Sequence, residues 1–144
     1  MSLISELTIQ LNARIIYFDK EFHNLYRDGM MQTFLEQNYI FISNDNSEIQ
    51  TENILLHEIG HVYHNHRHVD LHSWGWNNRQ EAEANKYMIE QRADQWLAQY
   101  DWEPEKIDYE AFLNYFELDH CYYRLAEKVF EDINNYNHLG AYEL

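Results

Sequence analysis

Two histidines four residues apart, His57 and His61, enclose a glutamate in the run His57-Glu58-Ile59-Gly60-His61. On an α-helix, positions i and i+4 share a face, so the two imidazoles project together and can bind one metal ion. Glu58 stands one position round from His57, close enough to reach a water held at such a centre without being a ligand. Two neutral nitrogens, an open coordination position and a neighbouring carboxylate are what a zinc hydrolase requires. The plain alternative is a chance pentapeptide on an ordinary helix, with both imidazoles satisfied by hydrogen bonds. Zinc catalysis also calls for a third protein ligand, and the acids of Gln80-Glu81-Ala82-Glu83-Ala84-Asn85 are the candidates.

Glu81 and Glu83 compete for that place and face different ways, because two helical steps turn about 200°. Asn85 favours Glu81: it lies four residues on, on the same face, where its amide can orient a ligand histidine from behind. The competing reading makes Glu81 part of a capping box with Asn78. Glu83 reads as a solvated surface acid. His64, His66, His68 and His72 crowd the segment after the motif and read as a polar helix end, with His68 or His72 bordering a cleft. Tyr63, His68 and His72 are candidates for a group that polarises a substrate carbonyl. Trp74 and Trp76 read as loop packing.

These residues need elements to hold them. Leu3, Leu7 and Leu11 fit a short first helix, and the pair Ile15-Ile16 marks a strand over Arg14–Phe18. Asp28-Gly29 marks a turn, and Tyr39-Ile40-Phe41-Ile42 a second strand ending in the turn cluster Ser43-Asn44-Asp45-Asn46. Ser47 with Gln50 forms a capping box that starts the motif helix near Glu48, with Ile54, Leu55, Ile59 and Val62 as its apolar side. A second long helix is expected over Asn78–Tyr100, with Ala84, Tyr87, Met88, Trp96 and Leu97 inward. Two more follow near Tyr109–Leu118 and His120–Asn134, capped by Asp108 and Asp119. Phe112, Tyr115, Phe116, Tyr123, Ala126 and Phe130 recur at helical spacing and read as core rather than a docking surface. The last ten residues read as frayed.

With 144 residues, one Pro and four Gly, the chain reads as a single, mainly helical domain over 1–144, with a metal-site core of about 14–100 and C-terminal helices over about 104–134. Hydrophobic residues at 45% and aromatics at 16% argue against disorder. A formal charge of −15, with ten Lys and Arg, opposes direct nucleic-acid binding. The single Cys121 cannot form an internal disulfide and reads as a small buried hydrophobe, which fits a reducing cytoplasm. No apolar run approaches the roughly 20 residues of a spanning helix, so no membrane association is expected.

The stretches Asn53-Ile54-Leu55-Leu56-His57-Glu58-Ile59-Gly60-His61 and Glu81-Ala82-Glu83-Ala84-Asn85-Lys86-Tyr87, with a strand ahead of the first, resemble the ImmA/IrrE family of metallopeptidases over roughly residues 14 to 100. The resemblance implies a compact α+β, zincin-like fold with a small sheet beside the motif helix. It also implies a zinc site and cleavage of regulatory proteins, typically a helix-turn-helix repressor encoded alongside on a phage or mobile element. Position by position, it makes His57, His61 and Glu81 the metal ligands and Glu58 the catalytic acid. The chain departs from the family pattern after the second motif, where Tyr87-Met88 and the polar run Glu90-Gln91-Arg92 replace Phe-Ala and an apolar stretch.

The expectation is therefore a cytoplasmic zinc endopeptidase acting on a transcriptional repressor. Two imidazoles and a carboxylate suit zinc, with manganese or iron as alternatives. The rival reading is a non-catalytic regulatory or binding protein that retains the metal for structure. The intact Glu58 favours the enzyme, since a protein that only binds does not need it.

Overall fold

Ser2 opens the chain by capping a helix: its hydroxyl accepts from the Ser5 amide at 3.1 Å, and α1 runs over Leu3–Gln10. The computed structural model describes residues 2–19, 29–34, 37–64, 78–99 and 107–143, with backbone alone for 29–34 and 136–143. These fall into two units, residues 1–84 and 85–144.

In the first unit α1 leads into β1 (Ala13–Phe18) through Asn12, whose φ of 50° is a left-handed value that asparagine tolerates better than most residues. Side chains from the start of β3 (Gln37–Ser43) brace this turn. Gln37 Nε2 donates to the Asn12 carbonyl at 2.8 Å, and Asn38 Nδ2 to that of Leu11 at 2.7 Å. The sheet order is β1-β3-β2, with β1 parallel and β2 (Gly29–Phe34) antiparallel to β3. β1 and β3 lie where the sequence expects strands; β2 is an addition. Its run Met30-Met31-Gln32 has neither alternation nor β-branched residues, so its strand character comes from pairing with β3 rather than from local preference.

The central strand carries the core. Ile40 and Ile42 point to one face and are fully enclosed, joined in this unit by Leu7, Leu11, Leu55, Leu56 and Ile59. Burying each such side chain contributes about 1.5–3 kcal/mol. Beyond β3, Asn46 folds back on the Ser43 carbonyl, and Ser47 and Gln50 then make the expected capping box. The Gln50 amide donates to Ser47 Oγ at 3.0 Å and the Ser47 amide to Gln50 Oε1 at 2.9 Å. From there α2 runs over Glu48–Tyr63 and packs against α1. Val62, expected on its apolar side, is exposed in the last turn, while Leu56 is buried instead.

The long helix α3 spans Asn78–Gln99. Its portion beyond residue 84, with α4 (Tyr109–Tyr115), a short 3-10 turn (His120–Tyr122) and α5 (Tyr123–Glu143), makes up the second unit. Asp108 and Asp119 cap as expected, onto the amides of Ala111 at 3.1 Å and Cys121 at 2.8 Å. α4 stops earlier than its apolar pattern suggests. Glu117 turns left-handed (φ 52°), and the Leu118 amide bonds back to the Leu113 carbonyl at 2.9 Å, a Schellman ending built without glycine. α5 continues to Glu143, past the point where fraying is expected, and Cys121 is exposed rather than buried.

The second core is aromatic. Phe112 meets Trp96, Phe116 and Phe130 edge-on at 5.8, 5.3 and 5.1 Å. Met88, Ile89, Leu97, Leu113, Ala126 and Val129 fill in around them, whereas Tyr115 is half exposed. The polar-looking run Glu90-Gln91-Arg92 conceals a core residue: Arg92 is 2% exposed, lies 4.8 Å from the centroid of the Phe116 ring and donates to Gln95 Oε1 at 2.8 Å. Among the described residues no helix is long and apolar enough to cross a membrane. The architecture is helix-rich α+β, with a small mixed sheet in the same unit as the motif helix, as the zincin-like expectation requires.

Candidate metal centre

The capping box fixes where α2 begins, and from that start the helical repeat sets His57 and His61 side by side. Their rings stand edge to face, 4.7 Å between centroids at 87°, with the two Nε2 atoms 3.1 Å apart. The first turn of α3 brings Glu81 to both. Its Oε2 lies 2.9 Å from His57 Nε2 and its Oε1 3.4 Å from His61 Nε2. His57, His61 and Glu81 thus present three donor atoms around one point, the only such group among the described residues.

These spacings can be tested against a metal. Ligand atoms about 2.0–2.1 Å from a tetrahedral zinc ion lie about 3.3 Å from one another. The observed edges of 2.9, 3.1 and 3.4 Å bracket that value. The chemistry fits as well. Burial pushes the Glu81 carboxyl up, but hydrogen bonds from His57 and His61 and the attraction of both rings outweigh this and hold it well below the usual carboxylate range. Glu81 is therefore an anion, as a ligand must be. The exposures of 1% for His61, 19% for His57 and 30% for Glu81 close the centre behind His61 and leave it open on the other two sides. A group that must accept a substrate as well as a metal needs that opening.

Glu58 is buried, 5% exposed, with Oε2 fully enclosed. Gly60, two residues on, is buried too. Asn85 falls in the second unit, where its Oδ1 accepts a hydrogen bond from the Tyr122 hydroxyl at 3.4 Å. Tyr63 is 69% exposed with its ring edge-on to His64 at 5.1 Å. His68 and His72, like His66, Trp74 and Trp76, lie outside the described residues.

One acid near the centre has two partners that its sequence reading as a surface residue did not anticipate. Glu83, expected to be a solvated acid, lies 3.6 Å from His64 Nδ1 through Oε2 and accepts from Arg79 Nε at 3.1 Å through Oε1. Both contacts had a signal. Arg79 and Glu83 stand at i and i+4, and His64 falls three residues after His61, on the face that carries both His57 and His61.

Comparison with curated proteins and with solved structures finds no match. A family model for the IrrE N-terminal-like domain, a peptidase family, matches residues 10–131. That span takes in the β-sheet, α2 with its His57-Glu58-Ile59-Gly60-His61 run, Glu81 and most of the second unit. With a metallopeptidase domain matched over most of its length, and a possible metal site within that span, the chain belongs to the IrrE N-terminal-like family.

Proposed function

We propose that the protein is a zinc-dependent endopeptidase that cleaves a regulatory protein, specifically a helix-turn-helix repressor. The observation that carries this reading is the convergence of His57, His61 and Glu81 from two helices at spacings a tetrahedral ion fits. His57, His61 and Glu81 would hold the ion, and Glu58 would act as general base. When bound, the ion supplies Lewis-acid activation of a water and of the scissile carbonyl.

The chain's own residues do the rest. Glu58 accepts the proton from the attacking water and delivers it to the leaving nitrogen, so that a C–O bond forms as the C–N bond breaks. His61, enclosed on all sides, fixes the back of the centre, while His57 and Glu81 border the side a peptide can approach. The net charge of −15 supports a basic partner, as the DNA-binding face of a repressor is, and favours fast encounter with it.

The test is to incubate the zinc-loaded chain with helix-turn-helix repressors, beginning with any encoded beside its gene, and map fragments by mass spectrometry. A discrete cut is expected that Glu58→Gln abolishes while zinc still binds. Undiminished cutting by Glu58→Gln rejects the assigned base. Zinc binding with no cut, but stable association with the repressor, would favour the rival reading of a regulatory binding protein.

A further inference from the structure

Glu81 occupies the first turn of α3, where the backbone lacks part of its hydrogen bonding and side-chain position depends most on outside contacts. The same turn meets α2 a second time. Glu83 Oε2 lies 3.6 Å from Nδ1 of His64, the residue that caps α2, and Glu83 Oε1 is held by Arg79 Nε at 3.1 Å. His57, His61 and His64 fall at i, i+4 and i+7 and so form one row on α2. The start of α3 is engaged along that row twice, by Glu81 at the first two histidines and by Glu83 at the third.

We infer that the chain Arg79–Glu83–His64 is a positioning device that sets the first turn of α3 against α2 and so keeps Glu81 within reach of both imidazoles. Arg79 orients the carboxylate, Glu83 spans the gap between helices, and His64 is the fixed point on α2. None of the three is a ligand. The inference rests on the metal reading proposed above. Side-chain exposures of 35% for His64 and 34% for Glu83 leave the contact partly screened. Its effect on zinc affinity is accordingly a few-fold, not orders of magnitude.

The experiment measures zinc dissociation constants by competition with a chromophoric chelator, together with melting of the metal-free protein. Glu83→Ala and His64→Ala are each expected to weaken zinc binding about three- to fivefold. The double variant should be no weaker than either alone, His64→Lys should bind close to the parent, and melting of the metal-free forms should be unchanged. Loss of a nearby negative charge would also weaken binding in Glu83→Ala, but would not do so in His64→Ala. Weakening in Glu83→Ala alone therefore overturns the inference, as do parental affinity in both variants or a fall in melting that accounts for the change. His57→Ala separates the two levels of argument. If it leaves zinc binding intact, the metal reading fails; if it abolishes binding while the Glu83 and His64 variants match the parent, only the positioning role fails.

Discussion

Each unit gathers polar groups around a buried side chain, Arg92 in one and His61 in the other, and the two do so in opposite ways. In the second, Arg92 is enclosed as a permanent cation, stacked on Phe116 and hydrogen-bonded to Gln95. Its charge is accommodated by groups of the chain itself, an aromatic face and an amide. In the first, His57, His61 and Glu81 turn a carboxylate and two basic nitrogens toward one another at 2.9–3.4 Å. That cluster concentrates lone pairs, which attract a cation from outside. A buried polar group supplied with protein partners thus marks structure, whereas donors aimed at a shared point mark a site.

Substitutions that separate the two clusters break or sharpen this contrast. The largest effect is expected at Glu58: Glu58→Gln should lower peptide cleavage by about 10²–10⁴-fold, measured as initial rate on a cleaved substrate, with zinc content unchanged. His57→Ala should lower zinc affinity by more than about 100-fold, read by competitive titration, and leave the second unit's near-ultraviolet circular dichroism intact. In the aromatic core the pattern reverses. Phe112→Ala should cost about 3–5 kcal/mol in chemical denaturation, with residual zinc affinity of the folded fraction unaltered.

Zinc at about 100 times its dissociation constant should stabilise the parent by about 2.7 kcal/mol, and a chelator should remove the gain; His57→Ala should show neither shift. Smaller still is the acid response of the cap before α5. The Cys121 amide holds the Asp119 carboxyl below its ordinary value of 3.8. A carboxyl lowered in the folded state contributes stability that is complete above the unfolded pKa and is lost as pH falls through the folded one. Asp119→Asn, which keeps an accepting oxygen but no charge, should therefore flatten the fall in stability below about pH 4 and, at neutral pH, lack the small increment that the ionised carboxyl adds.

The candidate cluster was more legible in the sequence than the fold around it, for a physical reason. Two histidines on one helix face are written in nearby residues, and the capping box Ser47/Gln50 fixes the register of that helix locally. Glu81 is singled out over Glu83 from Asn85, four residues on along the same helix, and the structure brings Glu81 to both imidazoles. What the sequence hid depends on distant partners. Met30-Met31-Gln32 becomes strand only because β3 lies alongside. Arg92 looks like surface until Phe116 is placed over it. Glu83 looks solvated until His64 arrives from another helix. Cys121, a residue type usually enclosed, is exposed because it sits in the short 3-10 turn ahead of α5.

The ending of α4 has a practical consequence. Glu117 holds a left-handed backbone that disfavours any side chain with a Cβ by about 1–2 kcal/mol. Glu117→Gly should release part of that strain, raising the melting temperature by a few degrees while leaving the histidine row untouched. The second unit therefore keeps a reserve of robustness of its own, released by one backbone change.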